Sequence, residues 1–222
     1  METYISKERL FELVARILCD SIPPGSVDAV CFFGQTTEND TPMLESAARI
    51  QRAGLANLVA VTGSKGEKNE EKGFEVRSCE AFTAKLVELG VDPANIVGFP
   101  LSAKFPPCTD AEAIGVVEFA KERGWKSLIV TVPPLHQVRA FISIVSAAIK
   151  YYPELMIYSV PAEALPWTQE VIHSKSAPRA RRSAQFAGEL AKLEKYWLKG
   201  DHSSPDVILA YLDTREEGNP QQ

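Results

Sequence analysis

The 222-residue chain contains no apolar run near the roughly 20 residues of a membrane span. Its opening, Met-Glu-Thr-Tyr-Ile-Ser-Lys-Glu-Arg, lacks the basic-then-apolar order of a signal peptide. Both absences lead to the expectation of a soluble, cytoplasmic protein. Cysteine is scarce: Cys19, Cys31, Cys79 and Cys108 stand far apart with no C-x-x-C pair. The chain therefore offers neither a metal motif nor a small disulfide framework, and the four are expected to be buried free thiols. A basic excess is lacking too, since 24 Lys and Arg against 29 Asp and Glu give a formal charge of −5. That balance argues against a dedicated nucleic-acid binder, because counterion release needs a basic face that outweighs the rest of the surface. No G-x-G-x-x-G follows the first strand, and G-x-x-x-x-G-K-[ST], G-x-S-x-G and H-E-x-x-H are missing throughout. Standard dinucleotide sites, P-loops, α/β-hydrolase elbows and zinc peptidases lose their commonest signatures. What is present is a 45% hydrophobic share, at a length that supports one domain with a core needing no staples.

The apolar pattern alternates between two periods. Leu10, Leu13, Val14, Ile17 and Leu18 recur on one helical face entered through Ser6 and closed before Pro23-Pro24-Gly25. Ala29 to Phe33 is a continuous apolar run ended by Gly34, as expected of a strand buried on both faces. Thr41-Pro42 reads as an N-cap followed by proline at the first helical position. Three times thereafter a helix closes on glycine before a short strand: Gly54 before Leu58 to Thr62, Gly90 before Ile96 to Phe99, and Gly124 before Leu128 to Val132. Val138, Phe141, Ile142, Val145 and Ile149 mark a further helix, and residues 155–160 a fifth strand. Buried strands alternating with helices imply an α/β fold, a mostly parallel sheet covered on both sides with right-handed crossovers.

Residues 1–25 read as a lead-in helix, 26–160 as the core, 161–215 as C-terminal helices with a final strand at Val207 to Leu212, and 216–222 as a frayed tail of one domain. From Lys175 to Lys199 there are seven basic residues and two acidic ones. Phe186, Leu190, Leu193 and Trp197 recur there at helical spacing, so the stretch reads as a helix laying an apolar stripe on the sheet with a solvated basic face; an anion-binding role is the alternative.

Ligands of open parallel sheets bind beyond the carboxyl ends of the strands. Here those ends carry Gly34 and Gln35, Gly63, and Thr131, with His136 and Arg139 just beyond, where the last two could converge on an anion at a helix start. Alternatively, His136 caps local backbone and Arg139 is a surface charge. Thr109 and Glu112 match a T-x-x-E capping box, with ligand contact as the other reading. Glu75 reads as a solvated first-turn carboxylate.

In order and spacing these residues resemble the YdcF-like family, which includes the SanA and ElyC proteins. The resemblance covers roughly residues 28–160: Phe33-Gly34 where the family's first strand ends in glycines, Thr62-Gly63-Ser64 for its Ser-Gly-Gly, Glu75 for a helix-opening glutamate, Thr109 and Glu112 for its threonine and glutamate, and Thr131 to Arg139 for its Thr-Ser-x-Tyr-His-x-x-Arg stretch. Leu44 or Glu45 replaces an arginine, Phe99 or Pro100 an acidic residue, and Ala113 an asparagine. The resemblance implies a Rossmann-like three-layer sandwich with a polar pocket at the strand ends, holding a nucleotide-like molecule such as S-adenosylmethionine. The expected activity is binding of an anionic or nucleotide-like small molecule through His136, Arg139, Glu75 and Glu112, with Gly34 and Gly63 admitting close backbone approach. A hydrolase or transferase acting on a phosphate or pyrophosphate linkage, with His136 as general acid/base, is the enzymatic alternative. A non-catalytic structural or partner-binding role is the third.

Overall fold

The computed structural model describes residues 6–21, 23, 25–173 and 178–218. The first helix, α1 (Lys7–Leu18), starts where the Ser6 hydroxyl accepts the Arg9 N–H and buries Leu13 and Ile17. The central strand β1 (Val27–Cys31) leads into the fully buried Phe32 and Phe33. It pairs in parallel with β2 (Ala56–Thr62) and with β6 (Ser127–Val130), Ala29 standing opposite both Leu58 and Leu128. Outside them lie β5 (Ile96–Phe99) and β7 (Met156–Ser159), so the order is β5-β2-β1-β6-β7 and every pairing is parallel.

Crossovers in parallel sheets are right-handed. Hence α2 (Thr41–Arg52) and α3 (Cys79–Glu88), which build outward from β1, pack together on one face. The reversal at β5 then sends α4 (Thr109–Arg123) and α5 (Pro134–Tyr151) to the other. The fold is a Rossmann-like three-layer α/β sandwich. Gly90 and Gly124, at φ of 85° and 68°, supply the left-handed backbone that ends α3 and α4. Among the described residues, no helix is long and apolar enough to cross a membrane.

Several local expectations are corrected. Asp40, not Thr41, precedes the first residue of α2, with Pro42 in its first turn. The charged stretch after β2 forms an antiparallel hairpin of β3 (Lys65–Asn69) and β4 (Phe74–Ser78), so Glu75 sits on a strand and opens no helix. Residues 207–212 belong to helix α7 (Pro205–Glu217), because Ser204 caps it by accepting the Val207 N–H and Ile208, Leu209, Leu212 and Arg215 are buried at helical spacing. Glu216 and Glu217 close that helix; the rest of the supposed tail, 219–222, lies outside the described residues, as do Pro24 and Lys175. All four cysteines are free, but only Cys31 is buried; Cys79 is half-buried, while Cys19 and Cys108 are exposed.

Between β7 and α7 the chain crosses the carboxyl edge of the sheet through a two-stranded ribbon, β8 (Glu170–Val171) with β9 (Ala180–Arg181), and enters α6 (Arg182–Leu198). Polar bonds fasten this cover. Thr36 donates its hydroxyl to the Ile172 carbonyl (2.6 Å), and Arg182 donates to Asn39 (2.9 Å) and the Glu38 carbonyl (2.8 Å). α6 packs on α5, and its buried stripe is Arg182, Gln185, Glu189 and Leu193. Of the expected apolar stripe only Leu193 is buried, because the surface beneath α6 is the polar start of α5 and not the sheet.

Candidate functional site

Two features aim the start of α5. Pro134 stands at its first turn, and Gln137 accepts the Val132 N–H (2.8 Å) while donating to the Val130 carbonyl (2.9 Å) and Ser159 hydroxyl (2.9 Å). With Gln137 locked against β6 and β7, His136 and Arg139, three residues apart on one helical face, turn toward α6. There the Glu189 carboxylate receives both. Arg139 Nε donates to Oε2, and His136 Nδ1 lies 3.1 Å from the same oxygen. Lys192 Nζ donates to Oε1 (2.6 Å), and His173 Nε2 stands 3.3 Å from that oxygen. The two imidazoles are adjacent, their ring centroids 5.3 Å apart.

Arg139 also reaches α4, donating from Nη1 to the Thr109 hydroxyl (2.6 Å). Glu112, one turn on, accepts the Gly34 N–H at the end of β1 (2.7 Å). Thr109 and Glu112 therefore do not form the expected capping box. Cys108 holds the cap position without a side-chain bond. A guanidinium and a strand-end N–H, both brought by the fold, take the oxygens that would otherwise have bonded each other's backbone.

His136 is 1% exposed, and His173 and Glu189 are each 3%. Burial, with the Arg139 charge behind it, pushes the His136 imidazole down to about 3, and burial likewise lowers His173. Burial alone would raise Glu189, but the His136 hydrogen bond, the nearby His173 imidazole and the neighbouring guanidinium hold it well below the usual carboxylate range. At neutral pH one carboxylate then faces a guanidinium, an ammonium and two uncharged imidazoles, which leaves one positive charge in excess.

Five of the sequence-predicted residues, Gly34, Thr109, Glu112, His136 and Arg139, are linked in this way. Gln35 is beside them and buried; its Nε2 donates to the Gly34 carbonyl while its Oε1 has no partner. Thr131 lies at the same sheet edge but donates to Ser46 of α2 (3.0 Å). Gly63 closes β2 against β5: its N–H meets the Phe99 carbonyl, and a Cβ there would stand 2.7 Å from that oxygen. The lack of a side chain at Gly63 thus serves strand packing. Glu75 is exposed on the hairpin, where its carbonyl holds the Thr37 N–H. The side chains meet beneath the cover formed by the ribbon and α6, not along an open cleft.

His173, Glu189 and Lys192 were not among the predicted residues. One signal existed: Glu189 is one of two acids in the basic stretch, and with Arg182 and Gln185 it repeats at helical spacing. A second histidine, His202, bonds Asp110 (2.8 Å) and Ser143 (3.1 Å) through the same Nε2. One nitrogen serving both partners cannot relay a proton between them, so this group pins α4 to α5. Comparison of the chain with protein-family models, curated proteins and solved structures finds no match.

Proposed function

We propose that the chain is a cytoplasmic YdcF-like protein that binds an anionic or nucleotide-like small molecule, S-adenosylmethionine among the candidates, at the carboxyl edge of the sheet. One observation supports this most: the strand order reverses between β1 and β6, and Gly34, Thr109, Glu112, His136 and Arg139 converge beside that switch point. Ligands of open α/β sheets bind at such points. Arg139 is the cation an anionic ligand would meet there, and the buried, unpartnered Gln35 Oε1 and Thr62 Oγ1 at the ends of β1 and β2 offer acceptors for a ligand's donors. Isothermal titration of the full chain against adenosine compounds and nucleoside phosphates tests it. Arg139→Ala is expected to weaken an anionic ligand about ten- to hundredfold, the loss of one charge-assisted contact, with Arg139→Lys between it and wild type. Failure of every compound to bind, or equal binding by Arg139→Ala, overturns the reading.

The enzymatic reading draws support from the Glu189 contact to His136 Nδ1. This reading takes the proton on Nδ1, which faces the carboxylate and stands 3.2 Å from Arg139 Nη2, and so leaves Nε2 as the acceptor a general base requires. Under this reading His136→Ala reduces turnover of a phosphate or pyrophosphate substrate about a hundred- to ten-thousandfold while much of the binding persists.

A further inference from the structure

The cluster around Glu189 has a second property that does not rest on anion binding. His136, His173 and Glu189 each present a donor atom, and the three donors lie within 4.8 Å of one another in a buried setting. His173 is the unusual member. Its ring is 3% exposed, yet neither Nδ1 nor Nε2 has a hydrogen-bond partner. Native interiors rarely leave such groups unpaired, and an exception calls for an atom that would satisfy it. The Nε2 of His173 stands 3.3 Å from one oxygen of Glu189 and the Nδ1 of His136 stands 3.1 Å from the other. Neighbouring donors around a tetrahedral zinc ion, with bonds of about 2.0–2.1 Å, are separated by roughly 3.3 Å.

We propose that His136, His173 and Glu189 form a site for a divalent transition cation, zinc by the chemistry of two imidazoles and one carboxylate, with a fourth position left for water or a ligand. Two cations already contact the carboxylate, and they differ in how firmly they are held. Lys192, whose side chain is 33% exposed, lies at the rim on a flexible stem and can swing into solvent as the metal takes its place on Oε1. Arg139 is anchored by Thr109 as well, but its Nη2 stands 3.2 Å from His136 Nδ1 and must turn from that nitrogen as the metal takes it, so its presence limits the affinity. No short motif betrays the trio because its members come from α5, the segment just after β8, and α6.

The test uses the full chain, dialysed against chelator and titrated with Co²⁺ and then Zn²⁺ alone. One equivalent of Co²⁺ is expected to give the intense visible absorption of four-coordinate cobalt, to raise the melting temperature, and to be displaced by one equivalent of zinc. His173→Ala removes a ring that makes no hydrogen bond, and is expected to weaken uptake at least about a hundredfold. Lys192→Ala removes the competitor on Oε1 and is expected to tighten uptake several-fold, which a purely structural Glu189 would not produce. Replacing the exposed Cys19 and Cys108 by Ser leaves the spectrum unchanged. No four-coordinate spectrum in the wild type, a spectrum that survives His173→Ala, or one that disappears with the two cysteines overturns the proposal. If His173→Ala does not fold, unchanged affinity in Lys192→Ala overturns it. Absence of nucleotide binding would count against the preceding reading while leaving the cobalt titration untouched.

Discussion

A carboxylate in the first turn of a helix can bond its own cap or reach across to another element, and Glu112 reaches across. The Gly34 N–H it accepts lies just beyond β1, next to the fully buried Phe33, in a part-buried setting that limits its access to water. Glu112→Ala is expected to cost about 1–3 kcal/mol, the penalty of leaving that donor unpaired, and Glu112→Gln less, because an amide oxygen can still accept. Urea denaturation of both variants checks the ranking; equal midpoints would return Glu112 to the role of local cap. Gly115, in the middle of α4, presents the opposite case. Helix propensity alone would make Gly115→Ala stabilising by about 1 kcal/mol. A Cβ there would stand 2.1 Å from the Pro100 carbonyl oxygen, so α4 must lift from the loop that follows β5. The expected outcome is therefore a net loss of roughly 1–3 kcal/mol, read as a lower urea midpoint.

Among the elements, α7 is held by charge as much as by its apolar face. The Arg215 and Asp20 side chains are each 2% exposed and pair directly; Asp20 Oδ2 also accepts the Ser159 N–H (2.8 Å), so one ion pair ties α7 and the end of α1 to the edge strand β7. Arg215→Ala would strand the Asp20 carboxylate and is expected to cost about 3–5 kcal/mol, whereas a double change to well-packed apolar residues would recover much of it. Chemical denaturation of the single and double variants separates the two. What the sequence made legible follows the same division. The parallel strands stand out as short, mostly apolar runs, continuous where both faces are buried as in Ala29 to Phe33, and α1 because Ser6 and its stripe agree. Residues 207–212 misled because Val207-Ile208-Leu209 is itself such a run; the helix signal was Ser204-Pro205-Asp206 just before it. The hairpin escaped because half of its residues are charged and only Phe74 is buried, while its pairing is carried by backbone. The half of the site from α4 and α5 was legible as strand-end loops. Glu189 was not, since the partner that makes a buried carboxylate tolerable, His136, lies 53 residues away.

For the molecule as a whole, the strand order gathers titratable groups from three segments into one buried cluster, and this couples global stability to pH. His136 faces Arg139 from its own helix, Glu189 and Lys192 from α6, and His173 from the segment just after β8. In the unfolded chain its imidazole titrates near the ordinary 6.5, whereas burial in the fold pushes it down to about 3. Below about pH 6.5 the unfolded state therefore takes up a proton that the folded state refuses. Stability is full above that pH and is lost as pH falls toward 3. His173, also lowered, adds a loss of the same sign, and Glu189 adds another once pH passes below its ordinary 4.5. Asp40, raised by burial, works the other way, since the fold then binds its proton more readily than the unfolded chain, but only in the carboxylate range. Between pH 7 and 5 the histidines dominate. The melting temperature of chelator-treated protein is expected to fall across that interval, and to fall less in His136→Gln, which removes one of the groups that titrate there. A flat profile in the wild type would mean that the Glu189 carboxylate, which favours charged imidazoles, offsets burial and the neighbouring cations, and would overturn the prediction.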